Sequence, residues 1–385
     1  MNNFTFYNPV RVVFGKGAIG QLGELVPSEG KVMLLYGGGS IKKNGVYTQV
    51  TEALTDREVV EFGGIESNPK LETCMKAVAL AAQEGAEFLL AVGGGSVLDA
   101  TKFIAAACSY AGDDPWEIVV TRGAVIRSAM PLGTVLTLPA TGSEMNCISV
   151  ISRESTDEKL AFKNPAVFPK FSVLDPEVTY SLPTKQLRNG VVDAFCHVME
   201  QYITYDLVTP LQGRQSEAIA STLVEWAGRI LSGQKDYDAR ANLMWCAAQA
   251  LNGLTACGVV EDWATHMIGH ELTAFFGLAH AESLAVVMPG VWEFEKGNKK
   301  AKLAQLAECV WGVGEGSVDE KAEAGIEKTV AFFESVEMPT RLSDYGIGRE
   351  GVKKVVERFA ERGTVLGENQ DIDAERVGEI LRLCI

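Results

Sequence analysis

The stretch that decides the fold is "EFLLAVGGGSVLDATKFIAAACSY", residues 87–110. It opens as a short apolar run, "EFLLAV" (87–92), which reads as a buried strand. It turns through "GGGS" (93–96) and continues as "VLDATKFIAAACSY", a good helix by pattern and length. A strand running through a glycine turn straight into a helix is the first half of a βαβ unit. Runs of the same kind lie before it, "VRVVF" (10–14), "KVMLLY" (31–36) and "EVVEF" (58–62), separated by helix-like segments. Behind it come "GTVLTLP" (133–139), "CISVISR" (147–153) and "FSVLD" (171–175). Such alternation predicts a parallel sheet flanked by helices. After "DPEVTYSLP" the texture changes: β-runs stop, and segments such as 239–254 and 320–336 carry helical periodicity. Pro176 and Pro183 punctuate the change. The fold class expected is therefore an α/β domain over residues 1–180, Rossmann-like, followed by an all-α domain over residues 181–385.

A second "GGGS", Gly37–Ser40, follows "KVMLLY". Glycines at a strand-to-helix turn let the backbone approach a ligand closely, and a helix N-terminus offers free N–H groups to an anion. Two such turns at the carboxyl ends of strands in one open sheet suit a phosphate-bearing ligand, although neither matches GxGxxG. Thr137, Thr141, Ser143 and Asn146, in "LTLPATGSEMN" (136–146), add side chains for a diphosphate or ribose site, or serve as plain turn residues. The first turn, "YGGGSIKKNG" (36–45), contains no carboxylate and has Lys42 and Lys43 just beyond. That suits a 2′-phosphate better than a bare ribose 2′-hydroxyl.

The chain has 385 residues, 47% of them hydrophobic, and a formal charge of −15. It is too long for one ordinary core and too apolar to be disordered. The acidity disfavours nucleic acid and anionic membranes as partners. No apolar run reaches 18 residues, and "MNNFTFYNPVRVVFG" has no export pattern, so a cytoplasmic location is expected. The eight cysteines form no CxxC pair and are read as reduced thiols.

All four histidines fall in two stretches, "NGVVDAFCHVMEQY" (189–202) and "DWATHMIGHELTAFFGLAHAES" (262–283). Asp193 and His197 stand four apart, as do His266 and His270, so each pair shares a helix face. His280 follows a break at Gly277. An Asp-plus-imidazole set suits Zn²⁺ or Fe²⁺ and lacks the thiolates of a structural zinc site. By spacing alone, His270 is a ligand in place of His266 or His280, or it stays unligated beside the metal and moves protons.

"FGKGA" (14–18), "GGGSVLDATK" (93–102), "TLPATGSEMN" (137–146), "VLDP" (173–176), "DAFCHVMEQY" (193–202) and "HAESLAVVMP" (280–289) occur together and in order. In this the sequence resembles the iron-dependent, group III alcohol dehydrogenases over its whole length. "YGGGSIKKNGV", "QALNGL", "DWATHMIGHELTA" and the C-terminal "LGEN" (366–369) look most like the NADP-dependent aldehyde reductase and butanol dehydrogenase branch. One departure is "PATGSE" (139–144), where many members carry a longer "TTAGTGSE"; it bears on Thr137 and Thr141.

The resemblance implies a dinucleotide-binding α/β domain, a helical metal-binding domain and one Fe²⁺ or Zn²⁺ held by Asp193, His197, His266 and His280. By position it leaves His270 as the nearby unligated histidine and, with Asp99, as a catalytic residue. It assigns NADP(H) contacts to Gly38, Gly39, Ser40, Asn68, Gly94, Gly95, Ser96, Asp99, Thr137, Thr141, Asn146, Lys159 and Leu182. The activity implied is NADPH-dependent reduction of small aldehydes, reversible as primary-alcohol oxidation, by a homodimer, with the substrate resting on apolar residues such as Trp263 and Phe276. Other readings are a Zn²⁺-dependent polyol dehydrogenase or dehydroquinate-synthase-like enzyme on the same fold, and a nucleotide- or metal-binding sensor.

Overall fold

A computed structural model describes residues 1–205 and 207–385. They form two compact units. One comprises Tyr7–Pro183 with Gln234–Ala248, and the other Met1–Phe6, Thr184–Gly233 and Gln249–Ile385.

The first unit is built on a six-stranded sheet. Its strands are β1 (Arg11–Phe14), β2 (Lys31–Tyr36), β3 (Val59–Phe62), β4 (Ala86–Gly94), β5 (Leu132–Leu138) and β8 (Phe171–Leu174). They lie in the order β1-β8-β5-β4-β2-β3, every pair parallel. The central strands read as continuous apolar runs because helices cover both faces. Met33 and Leu35 of β2, with Leu89 and Ala91 of β4, pack into one core beside Phe103 and Ile104 of the Gly95–Ala107 helix. The alternate residues Val32, Leu34, Phe88, Leu90 and Val92 pack on the other face, against Leu22, Val46 and Val50. That is the two-residue period of a strand.

"CISVISR" is a strand, β6 (Ile148–Arg153), but it lies outside the parallel sheet. It pairs antiparallel with β7 (Glu158–Lys163), which the sequence reading passed over. The Tyr237–Ala250 helix is another departure. Its Met244 and Ala248 pack into the α/β core, so residues 234–248 belong with the first unit although they follow residue 181.

The second unit is helical among the described residues, apart from an isolated bridge between Leu366 and Ile372. The Thr184–Tyr202, Ala264–Phe276 and His280–Phe294 helices carry the Asp/His stretches. The His280–Phe294 helix packs against both of the others and against Ala374–Leu383. Among the described residues no helix is long and apolar enough to cross a membrane.

Candidate active site

In the α/β unit the chain leaves β2 toward β3 and leaves β4 toward β5, on opposite sides. The carboxyl ends of β2 and β4 are therefore the switch point of the sheet, where open α/β folds bind ligands. Tyr36 pairs with Val92 in register, so the two GGGS turns start at the same level. The second turn opens directly into the Gly95–Ala107 helix, whose first N–H groups have no intrahelical partner. A Cβ at Gly95 would stand 2.5 Å from Thr141 Oγ1, so a side chain there would displace the threonine turn. The Asn68 N–H donates to Ser96 Oγ at 3.4 Å. Gly94, Gly95, Ser96, Asn68 and Thr141 are thus gathered at one edge, while Gly38, Gly39 and Ser40 stand at the end of the neighbouring strand.

The turn over residues 141–148 rests on a buried lysine. Lys102 Nζ donates to Ser143 Oγ (2.8 Å), Asn146 Oδ1 (2.9 Å) and the Ile148 carbonyl (2.8 Å). Burial pushes this ammonium down to about 8. Asp99 accepts from Ser143 Oγ (2.6 Å) and the Val150 N–H (3.0 Å). Asp99, expected among the catalytic residues, thus spends its carboxylate inside the turn. Asn146 does the same, its Nδ2 donating to the Gly142 carbonyl at 2.9 Å. Glu144, within the turn, is fully buried, and burial pushes its carboxyl up to about 7. Thr137 lies on β5, Lys159 on β7, and Leu182 caps the Pro176–Ser181 turn. Lys42, expected to offer a free ammonium, donates instead to Glu61 Oε2 at 3.0 Å, and its Nζ lies 4.9 Å and 4.7 Å from the Tyr36 and Tyr47 ring centroids.

In the helical unit the four expected ligands meet. One donor atom from each of Asp193, His197, His266 and His280 falls within 4.8 Å of the others. Asp193 Oδ1 is 3.7 Å from His197 Nδ1 and 3.5 Å from His280 Nε2. Ligand atoms about 2.0–2.2 Å from a tetrahedral ion stand at nearly those separations. The His197 and His266 ring centroids are 4.6 Å apart, and those of His266 and His280 are 5.3 Å apart. Burial pushes His197 down to about 4, leaving a neutral imidazole, the form that ligates. His197 Nδ1 is buried without a hydrogen-bond partner among the described residues. Donor set, burial and spacing all fit one divalent ion.

Close helix contact brings these donors together. A Cβ at Gly269 would stand 2.9 Å from Ser283 Oγ, so the glycine between His266 and His270 lets the Ala264–Phe276 helix lie against the His280–Phe294 helix. Gly277, at φ 72°, ends the first of these and releases the chain to His280.

His270 lies outside the donor group, its ring centroid 5.4 Å from that of His280. Trp263 stands edge-on to His266 at 4.9 Å, whereas the Phe276 ring lies near Gly351. Glu200, which the sequence reading missed, accepts from the His266 N–H at 2.9 Å and faces His266 Nδ1 at 2.9 Å. Burial and Asp262 push its carboxyl up; the His266 and Trp263 amides and Lys299 act in the opposite direction. A carboxylate on Nδ1 turns Nε2 outward as the ligating atom. Its sequence signal was a carboxylate one turn beyond His197.

A nucleotide-type switch point in one unit and an Asp/His₃ cage in the other are the two halves of a metal-dependent dehydrogenase. The chain belongs to the iron-containing alcohol dehydrogenase family. The family profile matches residues 9–176, and the profile of the family's C-terminal part matches residues 188–385. The chain is 53% identical to the NADPH-dependent aldehyde reductase YqhD of Escherichia coli K12 over 374 residues, 97% of each protein. A crystal structure of YqhD superposes with a TM-score of 0.98 at 51% identity, covering 100% of this chain and 99% of that one. The NADP-dependent alcohol dehydrogenase 3 of Entamoeba histolytica is 43% identical, covering 99% of this chain and 98% of its own. The NADH-dependent butanol dehydrogenase A of Thermotoga maritima, 38% identical, superposes with a TM-score of 0.94 over 100% of this chain and 99% of its own.

Proposed function

We propose that this protein is an NADPH-dependent reductase of small aldehydes, acting in reverse as a primary-alcohol dehydrogenase. The observation that carries the reading is the Asp193, His197, His266 and His280 donor group within 4.8 Å. The 53% identity to an NADPH-dependent aldehyde reductase supports the choice of reaction and cofactor. A divalent Fe²⁺ or Zn²⁺ ion held there supplies Lewis-acid polarisation of the carbonyl oxygen, and NADPH supplies the hydride.

The chain's own residues do the rest. Asp193 and the three imidazoles would hold that ion, and with it the point at which a carbonyl oxygen would be polarised. His270, beside His280 but outside the donor group, moves the proton that the alcohol oxygen needs. Trp263 presents an apolar ring edge beside the ligands and excludes water from the aldehyde's substituent; Phe276, at the far end of the helix that Trp263 caps, packs by Gly351 instead. The turns at Gly38–Ser40 and Gly94–Ser96, with Asn68, Thr137, Thr141, Lys159 and Leu182, bind the dinucleotide. Asp99 and Asn146 act by holding the 141–148 turn in shape. On this reading residues 1–180 form the dinucleotide-binding domain and residues 181–385 the metal-binding domain, except that residues 1–6 and 234–248 each pack with the other unit.

The protein acts as a cytoplasmic homodimer in this reading. β1 is an edge strand of the sheet, and Phe14 on it is 40% exposed, edge-on to the 43% exposed Trp245. An exposed aromatic pair formed between an edge strand and the Tyr237–Ala250 helix suits a second copy.

Metal analysis of the purified protein, coupled to an aldehyde panel with NADPH and NADH, tests the function. Butanal-dependent loss of NADPH absorbance, abolished in His266→Ala, is the expected result. No turnover of any aldehyde by metal-replete protein would exclude the reductase.

A further inference from the structure

The C-terminal "LGEN" motif touches none of the reacting groups, and its Glu368 leads to a buried charge beside the metal-binding helices. Lys299, on the Lys296–Cys309 helix, is 2% exposed. An ammonium has three N–H donors, and this one uses all of them. Nζ lies 2.8 Å from the Ile203 carbonyl, 2.8 Å from Asp262 Oδ2 and 3.1 Å from Glu368 Oε1. The side chains of Asp262 and Glu368 are 4% and 3% exposed.

Each partner comes from a different segment. Ile203 follows directly on the helix that carries Asp193, His197 and Glu200, and its N–H continues that helix by donating to the Met199 carbonyl at 2.9 Å. Asp262 precedes the helix that carries His266 and His270. Its Oδ1 accepts from the Ala264 N–H at 2.8 Å, and its own N–H donates to the Glu200 carbonyl at 2.9 Å. Between them Trp263 takes a left-handed conformation, φ 64°. Glu368 is held in turn by the Tyr205 N–H at 3.2 Å. One ammonium thus joins the end of one ligand-bearing helix to the entry of the other, beside the carboxylate that meets His266.

We propose that Lys299, with Asp262 and Glu368, is a positioning device for the metal centre: it fixes the spacing of the two helices and so the aim of His266 Nε2. The inference rests on the metal assignment proposed above. Lys299 touches neither substrate nor cofactor. Its effect reaches the ion through Glu200 and His266, as outer-shell contacts tune a metal site. Removing the ammonium leaves two buried carboxylates facing each other, which pushes the 203–205 and 262–263 segments apart.

The test uses the full chain loaded with Co²⁺. Affinity is read by competition with a chelator, and geometry by the ligand-field absorption bands. Lys299→Met should weaken Co²⁺ binding about tenfold, the lower end for an outer-shell partner, and shift the bands. Glu368→Leu leaves the Lys299–Asp262 ion pair and should cause a smaller loss with a shift in the same direction; it carries the test if Lys299→Met does not fold. Lys321→Ala, which removes an ion pair with Glu308 at the other end of the same helix, should change neither readout. Wild-type affinity and an unchanged spectrum in the folded variants would overturn the proposal. His266→Ala separates the two levels: if it binds Co²⁺ as the unmodified chain does, the metal assignment itself fails.

Discussion

Glu200 Oε1 lies 2.9 Å from both the Nδ1 and the backbone nitrogen of His266. One carboxylate therefore fixes the ring's tautomer and also the turn of helix that carries it. Glu200→Gln keeps the shape and removes the charge. Metal affinity should fall about 10–100-fold, and activity should recover in excess metal. Chelator titration of the two proteins checks this; equal affinities would refute the role.

His266 and His270 share a helix but should part company on mutation. His266→Ala or His280→Ala removes a donor and should strip the metal and the activity together. His270→Ala should keep the metal and lose mainly kcat, because its ring lies outside the donor group. Metal content and kcat of the variants decide this. Loss of metal from His270→Ala as complete as from His266→Ala would reverse the ligand assignment.

An Asp/His₃ set accepts either Fe²⁺ or Zn²⁺, and Zn²⁺ stands above Fe²⁺ in affinity in the divalent series. Protein purified in air should carry Zn²⁺, and Fe²⁺, Mn²⁺ or Co²⁺ added to chelator-stripped protein should restore different rates. Elemental analysis that finds iron alone would contradict this.

Much of this architecture is legible in the chain because its determinants are local. An apolar hexamer, three glycines and a helix between residues 87 and 110 identify a strand–turn–helix wherever they occur, and the i,i+4 pairs Asp193/His197 and His266/His270, with His280 just beyond, announce a donor set by chemistry. What escaped depends on the third dimension. Glu200 and Lys299 look like solvated charges in sequence, since nothing local says that their side chains point inward. β7 alternates only weakly, and its partner β6 resembles one more strand of the parallel sheet. The Tyr237–Ala250 helix carries no mark of which core it joins. Lys42 read as free because its partner Glu61 lies 19 residues on, in β3.

Glu144 should leave a mark on stability against pH. Its carboxyl sits at about 7 instead of the ordinary 4.5, because burial favours the neutral form. A group raised in the folded state contributes stability that is full below about pH 4.5 and is lost as the pH rises through about 7. The loss amounts to about 3 kcal/mol. Glu144→Gln is neutral throughout and should flatten the fall. Tm measured from about pH 5 to 8, without nucleotide, should decline more steeply in the unmodified protein; parallel curves would refute the assignment.

The choice of NADPH over NADH should turn on Gly39. NAD-binding folds commonly hold the ribose 2′-hydroxyl with an acidic residue after the second strand, and that carboxylate would repel a 2′-phosphate. Here β2 ends at Tyr36 and runs into Gly37–Ser40 with no carboxylate. Lys42 is already committed to Glu61, so the attraction must come from the glycine N–H groups, the Ser40 hydroxyl and the exposed Lys43. Gly39 is left-handed, φ 88°, with nothing within 4 Å of an added Cβ. Aspartate enters this region more readily than most residues, so Gly39→Asp should fold. It should raise KM for NADPH and shift the NADPH/NADH ratio of kcat/KM toward NADH by about 1–3 kcal/mol, the worth of one charge-assisted contact exchanged for repulsion. Lys43→Ala should move the ratio the same way by less, because an exposed ammonium contributes less. If Gly39→Asp leaves the ratio unchanged, or if the unmodified enzyme already prefers NADH, this turn does not read the 2′-phosphate.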